Sequence, residues 1–365
     1  MRKIKILFEG LSSNLGGIET FIHNLYSNMD KNKFEISFLV DKNMKIAYYD
    51  EYKKDNIKFY YTENRKKNYL RYLHDLKDIY SNNKFDYIHI NVMSYSLFER
   101  IIYACKYSNA QVIVHSHNGG YTNKLYRTRF LHQIGKFMIR KCEFINVACG
   151  EKAGKFMFGN QKFVIFNNGI DIDKFKYDLS NRKKIRKELN IADDTFVIGL
   201  VASFLEVKNH NFIIDVFKEY LQFNKNSLLL LVGEGPLKDL IKNKVKYYDI
   251  EDKVLFLGKR YDTDKLYSAM DCYVMPSFSE GLSISLCEAQ VNGLKCYTTD
   301  GVDKNSNITG NVEFLSLKKT PKEWAEYIYK SNNKRDKDVL NKIPDEFNSK
   351  KSYQKVFEFY QNNLK

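Results

Sequence analysis

IKILFEGLSSNLGGIETFIHNLYSNMDKNKFEISFLV, residues 4–40, decides the fold. Residues 4–9 form an apolar run of strand length, and residues 34–40 form another. Between them Ile18, Phe21, Ile22, Leu25 and Met29 recur at helical spacing and draw one apolar stripe. Strand, helix, strand repetition of this kind builds a parallel sheet covered on both faces.

The alternation continues outward. Residues 86–90, 111–115, 144–148 and 163–166 read as further strands, with helical patterns in NYLRYLHDLKDIY and YSLFERIIYACKY. Residues 171–194 are highly charged and carry no strand pattern. Beyond them strands start afresh at 196–201, 227–232, 253–257, 271–275 and 295–299. The closing SYQKVFEFYQNNL is a helix with no strand after it, so it must pack on something already built. The expected fold class is therefore α/β, with two Rossmann-like doubly wound domains facing each other across a cleft. A length of 365 residues suits two domains better than one core. The expected division is residues 1–175, residues 176–345, and a helix over 346–365 that packs back on the first domain. Ligands of such sheets bind at the carboxyl ends of the strands, so the chemistry belongs in the loops that follow them.

The formal charge of +15 and pI near 9.2 suit a surface that meets something negative, whether nucleotide phosphate, anionic lipid or nucleic acid. Abundant Lys, Asn, Ile, Tyr and Phe would also follow from a genome poor in G and C. No basic helix or aromatic-and-basic strand platform marks a nucleic-acid binder. Six cysteines without CxxC spacing fit reduced thiols in cytoplasm. MRKIKILFEGL is too short in apolar residues for a signal peptide, and no run approaches the ~20 apolar residues of a membrane span.

Several loops offer chemistry beside an ordinary structural reading. Gly16 and Gly17 precede the first helix, where they allow either a close phosphate approach or a tight turn; GxGxxG is missing. Lys208 stands at the start of a helix, a position that favours an anion beside it. Gly233, Gly235 and Pro236 make a turn, and Lys259, Arg260 and Tyr261 a basic loop that can take a base or simply face water. His115 and His117 share one side of an extended segment, without the Cys, Asp or Glu that would complete a metal site. His117 hydrogen-bonding a substrate competes with a satisfied core histidine. In PSFSEGLSISLCEAQ, Glu280 and Glu288 lie eight residues apart. On one helix they would be separated by roughly 80° and about 12 Å. Glu280 in the loop and Glu288 inside the helix would instead grip different hydroxyls of one extended ligand. The amides of Gly281, Leu282 and Ser283 would then face phosphate.

These motifs resemble glycosyltransferase family 4, the retaining GT-B enzymes, and especially the bacterial branch that builds capsular and exopolysaccharides. Glu280 to Glu288 matches its E-x7-E motif, and GGIE (16–19), HSHN (115–118), NGID (168–171), VKNH (207–210) and GEGP (233–236) stand in the expected order over nearly the whole chain. The resemblance implies a nucleotide-sugar donor bound mainly by the second domain and an acceptor held by the first. Glu280 would hold donor-sugar hydroxyls and Glu288 the ribose. Lys208 and the Gly17 amide would hold the diphosphate, with His117 near the reacting sugar; Gly16, Asn168 and Gly235 join the donor site through their motifs. No metal or other cofactor is expected, because lysine, amides and helix dipoles neutralise the leaving diphosphate. Retention is usually explained by front-face attack, with the leaving phosphate oxygen taking the acceptor's proton. Where the family often places an arginine on the diphosphate, this chain has Ser203, and Arg260 is the expected substitute.

The expected partners are a UDP-sugar in preference to a GDP-sugar, a glycan or lipid-linked oligosaccharide, and an anionic membrane surface, with no nucleic acid. The expected location is the cytoplasm, at the inner face of the plasma membrane. A nucleotide-sugar epimerase of the same architecture is the alternative reading, and a nucleic-acid-binding protein a remote one.

Overall fold

A computed structural model of the chain describes residues 2–13, 16–118 and 126–364, with backbone alone at 126–128. These residues form two units, Met1–Gly169 with Ser349–Lys365, and Ile170–Asn348.

The first unit alternates β1 (Ile4–Glu9), α1 (Gly17–Ser27), β2 (Phe34–Asp41), α2 (Tyr49–Lys54), β3 (Lys58–Thr62), α3 (Tyr69–Asn82), β4 (Tyr87–Val92), α4 (Phe98–Tyr107), β5 (Gln111–Ser116), α5 (Tyr126–Met138), β6 (Ile145–Ala148), α6 (Glu151–Phe158) and β7 (Val164–Ile165). Its strands are parallel throughout, in the order β3-β2-β1-β4-β5-β6-β7. Ile6 and Phe8 pack on Phe21, Ile22 and Leu25 of α1, whereas Leu7 turns to Leu76 and Tyr80 of α3. Successive residues 6–8 of β1 thus bury on opposite faces, which is why Ile6, Leu7 and Phe8 are apolar in a row.

The second unit contains α7 (Ile172–Phe175), α8 (Leu179–Glu188), β8 (Phe196–Val201), α9 (His210–Phe223), β9 (Ser227–Val232), α10 (Lys238–Tyr247), β10 (Val254–Phe256), α11 (Thr263–Ala269), β11 (Cys272–Met275), α12 (Ile284–Val291), β12 (Lys295–Thr299), β13 (Val312–Leu315) and α13 (Pro321–Lys330). Its parallel sheet runs β10-β9-β8-β11-β12-β13, repeating the order of the first six strands of the first unit without repeating its sequence. The chain then returns as α14 (Ser349–Asn362), which places Tyr353, Val356 and Tyr360 in the same apolar cluster as α1.

The division between the units falls after Gly169, not after residue 175. Ile170 and Phe175 belong to the second core, and the Ile170 amide donates to the Phe347 carbonyl at 2.8 Å, so both chain crossings sit side by side. The charged stretch 171–194 is likewise no linker: α8 docks on α11. All six cysteines are free, and among the described residues no helix is long and apolar enough to cross a membrane.

Candidate active site

In each sheet the direction of winding reverses between the first strand and the fourth, and the loops after those strands diverge to leave a crevice. In the second unit they are the loop after β8, which carries Lys208, and the loop after β11, which carries Glu280. Lys208 ends a short turn, Asn209 follows in the left-handed region (φ 54°), and α9 begins at His210. A cation at that position opposes the helix dipole, and the anion beside it is Glu280: the Lys208 ammonium pairs with the Glu280 carboxylate. Glu280 is fixed by its backbone, donating to the Gly301 carbonyl at 3.3 Å and accepting from the Asp303 amide at 3.1 Å. Phe278 donates to the Val207 carbonyl at 2.8 Å and so ties the two loops together.

Glu288 lies inside α12, on another element from Glu280, and is buried. Its Oε2 is 2.9 Å from the Tyr267 hydroxyl, which is also 3.1 Å from the Ser285 carbonyl. One hydroxyl hydrogen cannot serve both; a protonated Glu288 donating to Tyr267 lets Tyr267 donate onward to Ser285. Burial pushes the Glu288 carboxyl from its ordinary 4.5 up to about 7, against smaller opposing effects of Tyr267 and Lys174. The folded chain therefore keeps a proton that the unfolded chain has lost, and this contribution to stability, full below about pH 4.5, fades as pH rises through 7. Glu288→Gln is expected to gain stability relative to wild type as pH is raised from 5 to 8, in denaturant titrations at each pH. A difference that stays constant with pH would contradict this assignment.

Other expected donor contacts divide. A methyl group on Gly281 would meet no atom within 4 Å, and among the described residues nothing hydrogen-bonds the amides of Gly281 or Leu282. Ser283 differs from expectation, because its amide already donates to Ser306 Oγ at 3.3 Å and its hydroxyl to Met275 Sδ at 3.3 Å. Gly235 is needed for packing: a side chain there would come within 2.7 Å of the Phe204 carbonyl oxygen, where the GEGP turn crosses the loop after β8. Arg260, the expected substitute for the arginine missing at Ser203, is engaged by other partners in this structure. Asp262 takes it bidentately at 2.8 Å, and Glu188 takes its remaining arm at 2.9 Å, leaving the guanidinium in a closed ion cluster.

In the first unit, Gly16 caps α1 in an extended conformation and Gly17 is exposed at its first turn, with no atom within 4 Å of where a side chain would project. Glu19 of the same motif accepts from the amide and hydroxyl of Ser12 at 2.8 Å, bracing the loop after β1. Asn168 is buried near the end of this unit, its Oδ1 without a hydrogen bond among the described residues. His117 Nε2 lies 2.8 Å from Asn91 Oδ1, and its ring centroid is 4.0 Å from that of His115. His115 Nδ1 is 3.0 Å from His89 Nε2, and His89 Nδ1 is 2.6 Å from the Tyr360 hydroxyl on α14. Burial pushes His117 and His89 down to about 3 and His115 well below 6.5, so all three rings are neutral near pH 7. In this neutral form His117 is a hydrogen-bonding group. Among the described residues no group of three His, Cys, Asp or Glu side chains is placed to hold a metal.

Sequence reasoning missed Tyr267, Ser306, His89 and Asn91. Only the last two left a trace, as polar residues two apart in the strand HIN.

Family models match both halves of the chain: Glycosyltransferase Family 4 over residues 15–174 and Glycosyl transferases group 1 over residues 181–341. The Bacillus subtilis (strain 168) protein EpsF, which carries a glycosyltransferase name, is 31% identical over 325 residues, covering 86% of this chain and 84% of that protein. The Escherichia coli UDP-Gal:alpha-D-GlcNAc-diphosphoundecaprenol alpha-1,3-galactosyltransferase is 23% identical, covering 85% and 81%. Among solved structures, Anabaena HepE in complex with UDP and glucose superposes with a TM-score of 0.76 at 16% identity, over 98% of this chain and 99% of that one.

Proposed function

Since the chain belongs to glycosyltransferase family 4 and has the GT-B fold, we propose that it is a retaining enzyme of surface polysaccharide synthesis that transfers a sugar from a UDP-sugar to a glycan or lipid-linked acceptor. In that reaction the bond from the anomeric carbon to the β-phosphate oxygen breaks and a bond to an acceptor hydroxyl forms. The acceptor proton goes to the leaving phosphate oxygen, and anomeric configuration is kept. The observation that carries the reading is the Lys208–Glu280 pair at the reversal point of the second sheet. A nucleotide-sugar offers both members new partners, phosphate for the ammonium and sugar hydroxyls for the carboxylate. Lys208 and the amides of Gly281 and Leu282 take the place of a metal at the diphosphate.

UDP-bound HepE and the galactosyltransferase that uses UDP-Gal on a diphosphoundecaprenol acceptor support the donor and acceptor classes. A panel of UDP- and GDP-sugars, with and without lipid-linked acceptor, tests the proposal in the presence of EDTA. Glycoside formed only with acceptor, from a UDP-sugar, is expected. Complete conversion of the donor alone would point to an epimerase.

Attachment to anionic lipid is part of the proposal. Residues 100–142 contain no Asp or Glu, and α5 with the residues after it exposes Phe130, Phe137 and Met138 among Arg129, Lys136, Arg140 and Lys141. Aromatic and basic side chains together suit the headgroup layer of an anionic bilayer. The protein is expected to sediment with phosphatidylglycerol vesicles at low salt, and Phe130→Ser with Phe137→Ser to release it; equal sedimentation with neutral vesicles would contradict the electrostatic part.

A further inference from the structure

We propose that Asn91 is the positioning residue that fixes the tautomer of His117, so that His117 presents an unprotonated Nδ1 to a hydroxyl of the donor sugar. The proposal rests on the reading that His117 meets that sugar. Asn91 is buried at the end of β4, and its Nδ2 donates to the Glu9 carbonyl at 2.9 Å. That bond settles which way the amide faces. The opposite orientation would set Oδ1 against the Glu9 carbonyl oxygen, two acceptors with no hydrogen between them. Oδ1 is therefore the atom facing His117 Nε2 at 2.8 Å, and an amide oxygen only accepts. Nε2 must carry the hydrogen. A neutral imidazole has only one N–H, so Nδ1 holds a lone pair.

The backbone builds this arrangement in. β1 and β4 approach so closely that a side chain on Gly10, at φ +91°, would lie 2.2 Å from the Asn91 carbonyl oxygen. The His117 amide donates to the Val92 carbonyl at 3.1 Å, one residue beyond Asn91. The faces of the ring are occupied too, by His115 at 4.0 Å and by the edge contact with Phe21 at 5.7 Å between centroids. These contacts hold the ring plane but say nothing of where its hydrogen sits; among the described residues Asn91 supplies that. An Nδ1 acceptor selects a ligand that donates, as a sugar hydroxyl does and a phosphate dianion does not. This matches a role at the sugar end of the donor.

Ring-nitrogen NMR of the wild-type protein tests the tautomer directly. The Nε2–H form is expected for His117, and an Nδ1–H form would overturn the proposal without any variant. In Asn91→Leu, nearly the same size, the ring is expected to show both tautomers. Turnover of the UDP-sugar is then expected to fall by about 100-fold while affinity for UDP stays within about twofold, since the nucleotide does not depend on this ring. An unchanged His117 spectrum or unchanged turnover in Asn91→Leu rejects the role of Asn91. His117→Ala separates the two readings: normal turnover there rejects the contact between His117 and the sugar. Impaired turnover there with a normal Asn91→Leu rejects only the positioning.

Discussion

Glu280→Gln is expected to leave the fold intact and to lower sugar transfer by about 10²–10³-fold, the range seen when one polar group that stabilises a transition state is removed. The carboxylate can accept from two neighbouring sugar hydroxyls at once, whereas the amide replaces one acceptor oxygen with a donor that faces those hydroxyls. The fold should survive because Glu280 is held by backbone bonds to Gly301 and Asp303, which the substitution does not touch. The same change frees the Lys208 ammonium from its ion pair, so UDP should bind at least as well as to wild type. Isothermal titration with UDP and turnover of the UDP-sugar together check this. Turnover near that of wild type would remove Glu280 from the site, and weaker UDP binding would show that Lys208 is not the phosphate ligand.

Asp271→Ala is expected to destabilise the second unit by about 3–5 kcal/mol, because it leaves a buried guanidinium without its counterion. Arg186 is 1% exposed and donates to Asp271 at 2.7 Å and to four backbone carbonyls, those of Ala269, Ala192, Asp193 and Thr195. Asp271 also accepts from Arg182 and from the Val197 amide, both at 2.8 Å, joining α8 to β8 and β11. The only tryptophan of the chain, Trp324, is buried in this unit, so its fluorescence in urea reports this unfolding separately. Replacing both partners with apolar residues, Asp271→Leu with Arg186→Met, should recover much of the loss. A single variant within about 1 kcal/mol of wild type would show that the carbonyls alone support Arg186.

The central strands of both sheets were legible because they are buried on two faces and are therefore mostly apolar. The two strands that escaped, β3 and β13, each lie at an edge of a sheet. β3 is half-exposed KFYYT and β13 is only four residues long, so neither shows the signal of double burial. The placement of Glu280 in a loop and Glu288 in a helix was legible from the same logic. What could not be read were contacts between residues far apart in sequence. Tyr267 against Glu288 is one, and Glu188 closing on Arg260 is another, since nothing in KRYDTD says that a glutamate of α8 meets its arginine. The boundary at Gly169 was obscured because charged residues of α8 look like a linker until Asp271 is seen to pair with them.

The contact between Lys208 and Glu280 also bears on what happens after transfer. On the proposed reading, a complete donor would satisfy both side chains when it parts them. The spent nucleoside diphosphate would satisfy only the lysine and leave the carboxylate beside phosphate charge with no hydroxyl to bind. Re-forming the pair would then work in favour of product release, so the resting contact is expected to act as an internal competitor that weakens inhibition by the product more than it weakens capture of the substrate.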